Sequence, residues 1–309
     1  MDSSELYHVK QQFILGAYKT LITSSLPDES SQDHVPILLY QIRAHIALND
    51  PKSALQLVPS GTDNVALKAA ASLARYVSGT DTDAALEELR DLSVEIEGDD
   101  AEGSERDRAM VRVLAGTAFA RAGEVEEALE TLGADTEDLE AVAVVVQIYL
   151  SINRPDLARK EFERAKRWAE DDLLLQLIES SIGLVTGKDS YSNCSSFYSE
   201  QIANPSLSSP HLLTSRGVTR ILRNEFQEAK SDLEESLSQQ KDDAEALAAH
   251  VVASGLAPSK KGEADELWDQ LVAQHPTHPI VIDVAKKSQF FDECAANFTV
   301  PPTAVASRA

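Results

Sequence analysis

Apolar residues recur every third or fourth position along most of the chain, a spacing that places them on one face of a helix. Short polar turns interrupt these stretches, and nowhere do apolar and polar residues alternate over a length that would make a half-buried strand. The pattern predicts first helices at about 5–15, 36–48, 64–78, 105–122, 138–152, 171–186, 210–223 and 243–256. Each is followed by a second helix, at about 18–25, 51–58, 81–97, 124–132, 155–169, 190–203, 226–240 and 263–274. Pro51 and Pro155 stand at first turns, where the missing N–H costs nothing, and Asp81 and Asp171 are expected caps. The β-branched run Val142–Ile148 falls where the series requires a buried helix.

The turns between paired helices share a pattern, clearest in Gly123-Glu-Val-Glu-Glu-Ala128, Asn153-Arg-Pro-Asp-Leu-Ala158 and Asn224-Glu-Phe-Gln-Glu-Ala229. Looser copies end at Leu21, Ala54, Ala85, Cys194 and Ala264. Taken as anchors, the eight last residues are spaced by 33, 31, 43, 30, 36, 35 and 35. Four residues beyond each anchor, on the same helix face, stand Ser25, Val58, Leu89, Leu132, Phe162, Tyr198, Leu233 and Trp268, all but one large and apolar or aromatic. Gly116 and Gly217 lie twelve before their anchors, where a missing side chain lets two helices approach. Small residue, alanine, aromatic at plus four and a helix-ending proline (Pro276) form the signature of a tetratricopeptide-like repeat. The expected fold is therefore all-α, a right-handed α–α superhelix. The array should occupy 1–275, with an acidic loop at 97–105, capping helices at 276–297 carrying Phe290 and Phe291 inward, and a disordered tail at 298–309.

In such arrays the first helices line an inner groove. Positions seven, eleven and fifteen before each anchor, with their neighbours, put Leu39, Ile46, Leu67, Val77, Met110, Val113, Leu150, Val218 and Ile221 on that face. An apolar groove fits a constitutive protein partner; the alternative is an array coiled tightly enough to bury this surface against itself. Repeat proteins that clamp a C-terminal carboxylate need a ring of Lys, Arg and Asn, and here only Arg43 and Arg121 qualify.

Composition narrows the function. Of 309 residues 43% are hydrophobic, and 51 acids against 28 Lys and Arg leave a net charge of -23. Such a surface repels phosphate backbones and anionic membranes. Two cysteines exclude a disulfide framework and a multi-cysteine metal site. The acidic start Met1-Asp2-Ser3-Ser4-Glu5 lacks the basic residues of a secretory signal, so a cytosolic location is expected. Chemistry is scarce. Gly183…Gly187-Lys188-Asp189 is one residue short of a phosphate loop and lacks its hydroxyl. His275 and His278 flank prolines with no third ligand near. Arg154, Arg159, Lys160, Arg164, Lys166 and Arg167 share one helix with interleaved acids, the pattern of a solvated face. No enzymatic activity and no cofactor are expected.

The segments Glu5-Leu-Tyr-His-Val-Lys-Gln-Gln-Phe-Ile-Leu-Gly-Ala-Tyr18 and Leu150-Ser-Ile-Asn-Arg-Pro-Asp-Leu-Ala-Arg-Lys-Glu-Phe162 resemble the coatomer epsilon subunit family. Val185-Thr-Gly187 and His275-Pro-Thr-His-Pro279 match a similar turn and His-Pro step, so the resemblance runs in order over the chain. It departs at the acidic insertion and the tail. The resemblance implies a non-catalytic subunit of the COPI coat, cytoplasmic and peripheral on Golgi membranes and coated vesicles. It also implies binding and stabilisation of the C-terminal region of the coatomer alpha subunit, in retrograde Golgi-to-ER and intra-Golgi transport. Membrane association would be indirect, through the coat. The competing reading is a general adaptor or cochaperone that binds partner peptides transiently.

Overall fold

A computed structural model describes residues 3–98, 103–133, 135–187, 190–205, 207–257 and 262–298. Among them the chain forms eight antiparallel helical pairs and one further helix, with no strand. The pairs are α1 (Ser4–Ile14) with α2 (Tyr18–Ile22), α3 (His34–Ala47) with α4 (Pro51–Leu57), and α5 (Val65–Ser78) with α6 (Thr82–Glu95). Next come α7 (Glu105–Ala122) with α8 (Val125–Leu132), α9 (Leu139–Ser151) with α10 (Pro155–Ala169), and α11 (Leu173–Thr186) with α12 (Ser190–Ile202). The last are α13 (Pro210–Leu222) with α14 (Phe226–Gln239) and α15 (Ala244–Leu256) with α16 (Glu263–Gln274), followed by α17 (Pro279–Ala295). The result is an α–α solenoid.

Among the described residues, the turn inside every pair holds at least one residue in the left-handed region: Gly16, Asn49, Gly79 with Asp81, Gly123, Asn153, Gly187, Asn224 and Gly262. Glycine and asparagine tolerate that conformation, which is why they open the repeated turn pattern. After Gly16, Asn49, Gly123, Asn153 and Asn224 the next N–H reaches back to the helix it leaves, as from Arg154 N to the Tyr149 carbonyl at 2.7 Å and Glu225 N to the Arg220 carbonyl at 2.8 Å. This closes the helix end. First helices start on side-chain caps, among them Ser3, Asn64, Asp138, Ser209 and Asp243, and Ser104 with Asp107 forms a reciprocal capping box. The cap expected at Asp171 belongs to Asp172, whose carboxylate accepts from Leu174 N at 2.8 Å. Asp81 caps α6 by position, without a side-chain bond.

The anchors Leu21, Ala54, Ala85, Ala128, Ala158, Cys194 and Ala229 are buried, as are Leu89, Leu132, Phe162, Tyr198 and Leu233 four residues on. A Cβ on Gly116 would lie 2.5 Å from Leu132, and one on Gly217 would lie 2.8 Å from Leu233. The small position of the first helix thus receives the large side chain of the second. Gly183 repeats the arrangement against the Cys194 sulfur at 2.8 Å.

The solenoid coils back on itself. Leu15 packs among Cys194, Phe197, Tyr198, Leu207 and Leu212, and its carbonyl accepts from Ser209 Oγ at 2.5 Å. Lys19 Nζ donates to the Gln239 carbonyl at 2.6 Å, so the first pair meets the seventh. Ile14 packs against the cluster built by α9, α10 and α11.

Phe290 and Phe291 do not pack inward; they are 66% and 70% exposed. The reason is that α17 leaves the array after one apolar contact, Val281 against Leu247, Ala248 and Leu271, with no described helix beyond it to cover the rest. The acidic loop expected at 97–105 falls in part, and the tail expected at 298–309 almost wholly, on residues outside the described set.

Candidate functional site

Where the coil closes, α3 meets the start of α9 through charge. Arg43 Nη2 donates to Glu140 Oε2 at 2.6 Å, with 11% and 12% of the two side chains exposed. Tyr40 Oη donates to the other carboxylate oxygen at 2.6 Å. The guanidinium lies 4.4 Å over the Phe13 ring, an approach that adds cation–π attraction. Burial disfavours both charges, yet each partner outweighs it. The carboxyl of Glu140 is held below the usual carboxylate range, and Arg43 is raised above its ordinary value. Burial, reinforced by Glu140, pushes the Tyr40 phenol well up. Arg43 is therefore consumed inside the molecule and offers nothing to a peptide carboxylate, which leaves exposed Arg121 alone of the two groove cations.

Four of the groove positions share this fate. Leu39, Ile46, Leu67 and Val113 are buried in one core cluster spanning α3 to α9, because consecutive first helices press together and cover them. They face the protein's own interior. Val77, Met110, Leu150, Val218 and Ile221 are half-buried at the cluster edges. Met110 stands at the closure, its sulfur 3.4 Å from Arg43 Nη1. The other four lie in the C-terminal halves of α5, α9 and α13.

That end of the helices carries a feature the periodicity did not single out. Ile152, Val185, Leu222 and Leu256 are exposed at the C-terminal ends of four successive first helices, α9, α11, α13 and α15. Leu222 lies seven before its anchor and Leu256 eight before its own, both groove or adjacent offsets. The others sit where the helix ends and the 3.6-residue period stops. A shallow cavity of about 510 Å³ continues the same edge at Val77, Leu86 and Arg121. The arrangement can bury apolar surface of a partner.

Other candidates resolve as packing. Cys194 is buried, donates to the Ser180 carbonyl at 3.3 Å, and has its thiol pushed up by burial, the opposite of an activated thiolate. His278 caps α17, its Nδ1 accepting from Ile280 N at 3.3 Å. Arg154 pairs with Asp156 at 2.7 Å and Arg164 with Glu161 at 2.7 Å, as a mixed-charge face does. Among the described residues no helix is long and apolar enough to cross a membrane.

A family model described as the coatomer epsilon subunit matches residues 2–299. Coatomer subunit epsilon-1 of Arabidopsis thaliana is 30% identical over 95% of this chain and 97% of its own. Coatomer subunit epsilon of Caenorhabditis elegans is 25% identical, covering 96% and 99%. Among solved structures, a tetratricopeptide repeat protein from Parabacteroides merdae aligns with a TM-score of 0.55 at 16% identity over 87% of this chain and 98% of its own. The Cut9–Hcn1 hetero-tetramer of the APC/C aligns at 0.61 and 13% identity, over 91% of this chain and 54% of that one. These two likenesses concern the fold alone. The helical pairs, the repeat and the full-length match agree, and the chain belongs to the coatomer epsilon subunit family.

Proposed function

We propose that the protein is a non-catalytic subunit of the COPI coat that binds and stabilises the C-terminal region of the coatomer alpha subunit. In this role it serves retrograde Golgi-to-ER and intra-Golgi transport, is cytoplasmic, and reaches Golgi membranes only through the coat. The observation that carries the reading is the family match over the whole chain, which the closed, apolar-edged solenoid fits. The contact surface we assign is the rim at the C-terminal ends of the first helices. It includes half-buried Val77, Leu150, Val218 and Ile221 and the exposed row Ile152, Val185, Leu222 and Leu256. Burying one such aliphatic contributes roughly 1.5–3 kcal/mol, so a few suffice for a long-lived complex. A transient carboxylate clamp finds less support, since Arg43 is already paired with Glu140.

The experiment is co-expression with the alpha subunit's C-terminal region and size-exclusion chromatography, comparing wild type with Ile152→Asp/Leu222→Asp. The expected outcome is co-elution of the wild type and loss of the complex in the variant with its helical circular dichroism intact, because exposed sites tolerate charge in the free chain. A variant that still co-elutes would place the partner elsewhere.

A further inference from the structure

His250 on α15 is 7% exposed, and neither of its ring nitrogens has a hydrogen-bond partner. Buried polar atoms are paired in the great majority of cases, so an imidazole with both nitrogens unused needs an explanation. Two carboxylates face it from the neighbouring helices. Glu234 of α14 places Oε1 3.7 Å from His250 Nε2, outside hydrogen-bond range. Glu263, the first residue of α16, completes a group in which one ligand atom from each residue lies within 4.8 Å of the others. Lys230 stands at the edge, its ammonium 2.6 Å from Glu263 Oε1.

We infer that Glu234, His250 and Glu263 form a binding site for a divalent transition metal of the zinc type, tying α14, α15 and α16 together. One imidazole and two carboxylates with a water make a four-coordinate set acceptable to zinc, at bond lengths of about 2.0–2.2 Å. Tetrahedral ligand atoms at those lengths stand about 3.4 Å apart, so the group must close slightly. Glu234, 60% exposed along its side chain, is free to rotate inward. The ion neutralises the two carboxylates and competes with the Lys230 ammonium for Glu263. His275 and His278, the imidazoles close in sequence, are not part of the group; its three members come from three helices, 16 and 13 residues apart.

The test is isothermal titration of chelator-stripped full-length protein with zinc chloride. One saturable site per chain is expected, weakened at least about tenfold by His250→Gln, a loss no smaller than that of a group that merely orients a ligand. Glu234→Gln, at an exposed side chain, should weaken binding without disturbing the fold. Lys230→Met should tighten it by removing the competing charge. Absence of a saturable one-to-one site, or undiminished affinity in either Glu234→Gln or a folded His250→Gln, overturns the assignment. If His250→Gln fails to fold, Glu234→Gln decides alone.

Discussion

Arg43 and Glu140 stand ninety-seven residues apart in the chain and 2.6 Å apart in the structure, and their pairing fastens the second helical pair to the fifth. Removing one partner of a buried ion pair leaves the other charge uncompensated, at a cost of about 3–5 kcal/mol. Glu140→Ala should lower the denaturant midpoint accordingly, with little change in the slope of the transition. A loss below about 1 kcal/mol, the scale of an exposed pair, would mean that the closure is solvated.

The same carboxylate sets a pH dependence. Burial raises the Glu140 pKa, but Arg43 and the Tyr40 hydroxyl bring it below its ordinary 4.5. A group with a lower pKa folded than unfolded contributes stability that is present above the unfolded value and lost as pH falls through the folded one. The stability gap between wild type and Glu140→Gln should therefore be full above about 4.5 and narrow below it. Denaturant titrations from neutral pH downward check this; a gap that stays constant through that window contradicts it.

The glycines separate packing from backbone effects. A Cβ on Gly217 lies 2.8 Å from the fully buried Leu233, so Gly217→Ala should destabilise by ~1–3 kcal/mol through overpacking. A Cβ on Gly255 in α15 meets nothing within 4 Å, so Gly255→Ala should stabilise by up to ~1 kcal/mol through helix propensity. Thermal melts of the two variants must shift in opposite directions.

The contrast between these sites explains what the sequence could carry. The period is written in local chemistry: asparagine or glycine where the backbone turns left-handed, alanine where two helices cross, a large residue four positions on. Each is a requirement met within one pair, so helix positions follow closely from composition alone. The groove is a different matter. Leu67, Val113 and Val77 are all aliphatic residues at groove or adjacent offsets, and they differ in what lies over them. That depends on how closely consecutive first helices press together and on how far the coil closes, the latter through contacts such as Ser209 with Leu15 and Lys19 with Gln239, far apart in the chain and without any period. The exposed Ile152 and Val185 sit at helix ends, where a periodic reading has no register to place them.

Phe290 and Phe291 provide an independent check on the last helix. Both are exposed on α17, and surface substitutions away from special features stay within about 0.5 kcal/mol. Phe290→Asp/Phe291→Asp should leave the melting of the isolated chain unchanged. A large loss would mean that α17 folds back onto the array.

Purification of the tagged protein from its own cells, with the stoichiometry of co-purifying chains measured, tests the central claim most directly. The account predicts the coatomer alpha subunit at one copy per chain, accompanied by the other coat subunits and stable to washing. A changing set of substoichiometric clients, with no coat subunit among them, would contradict it.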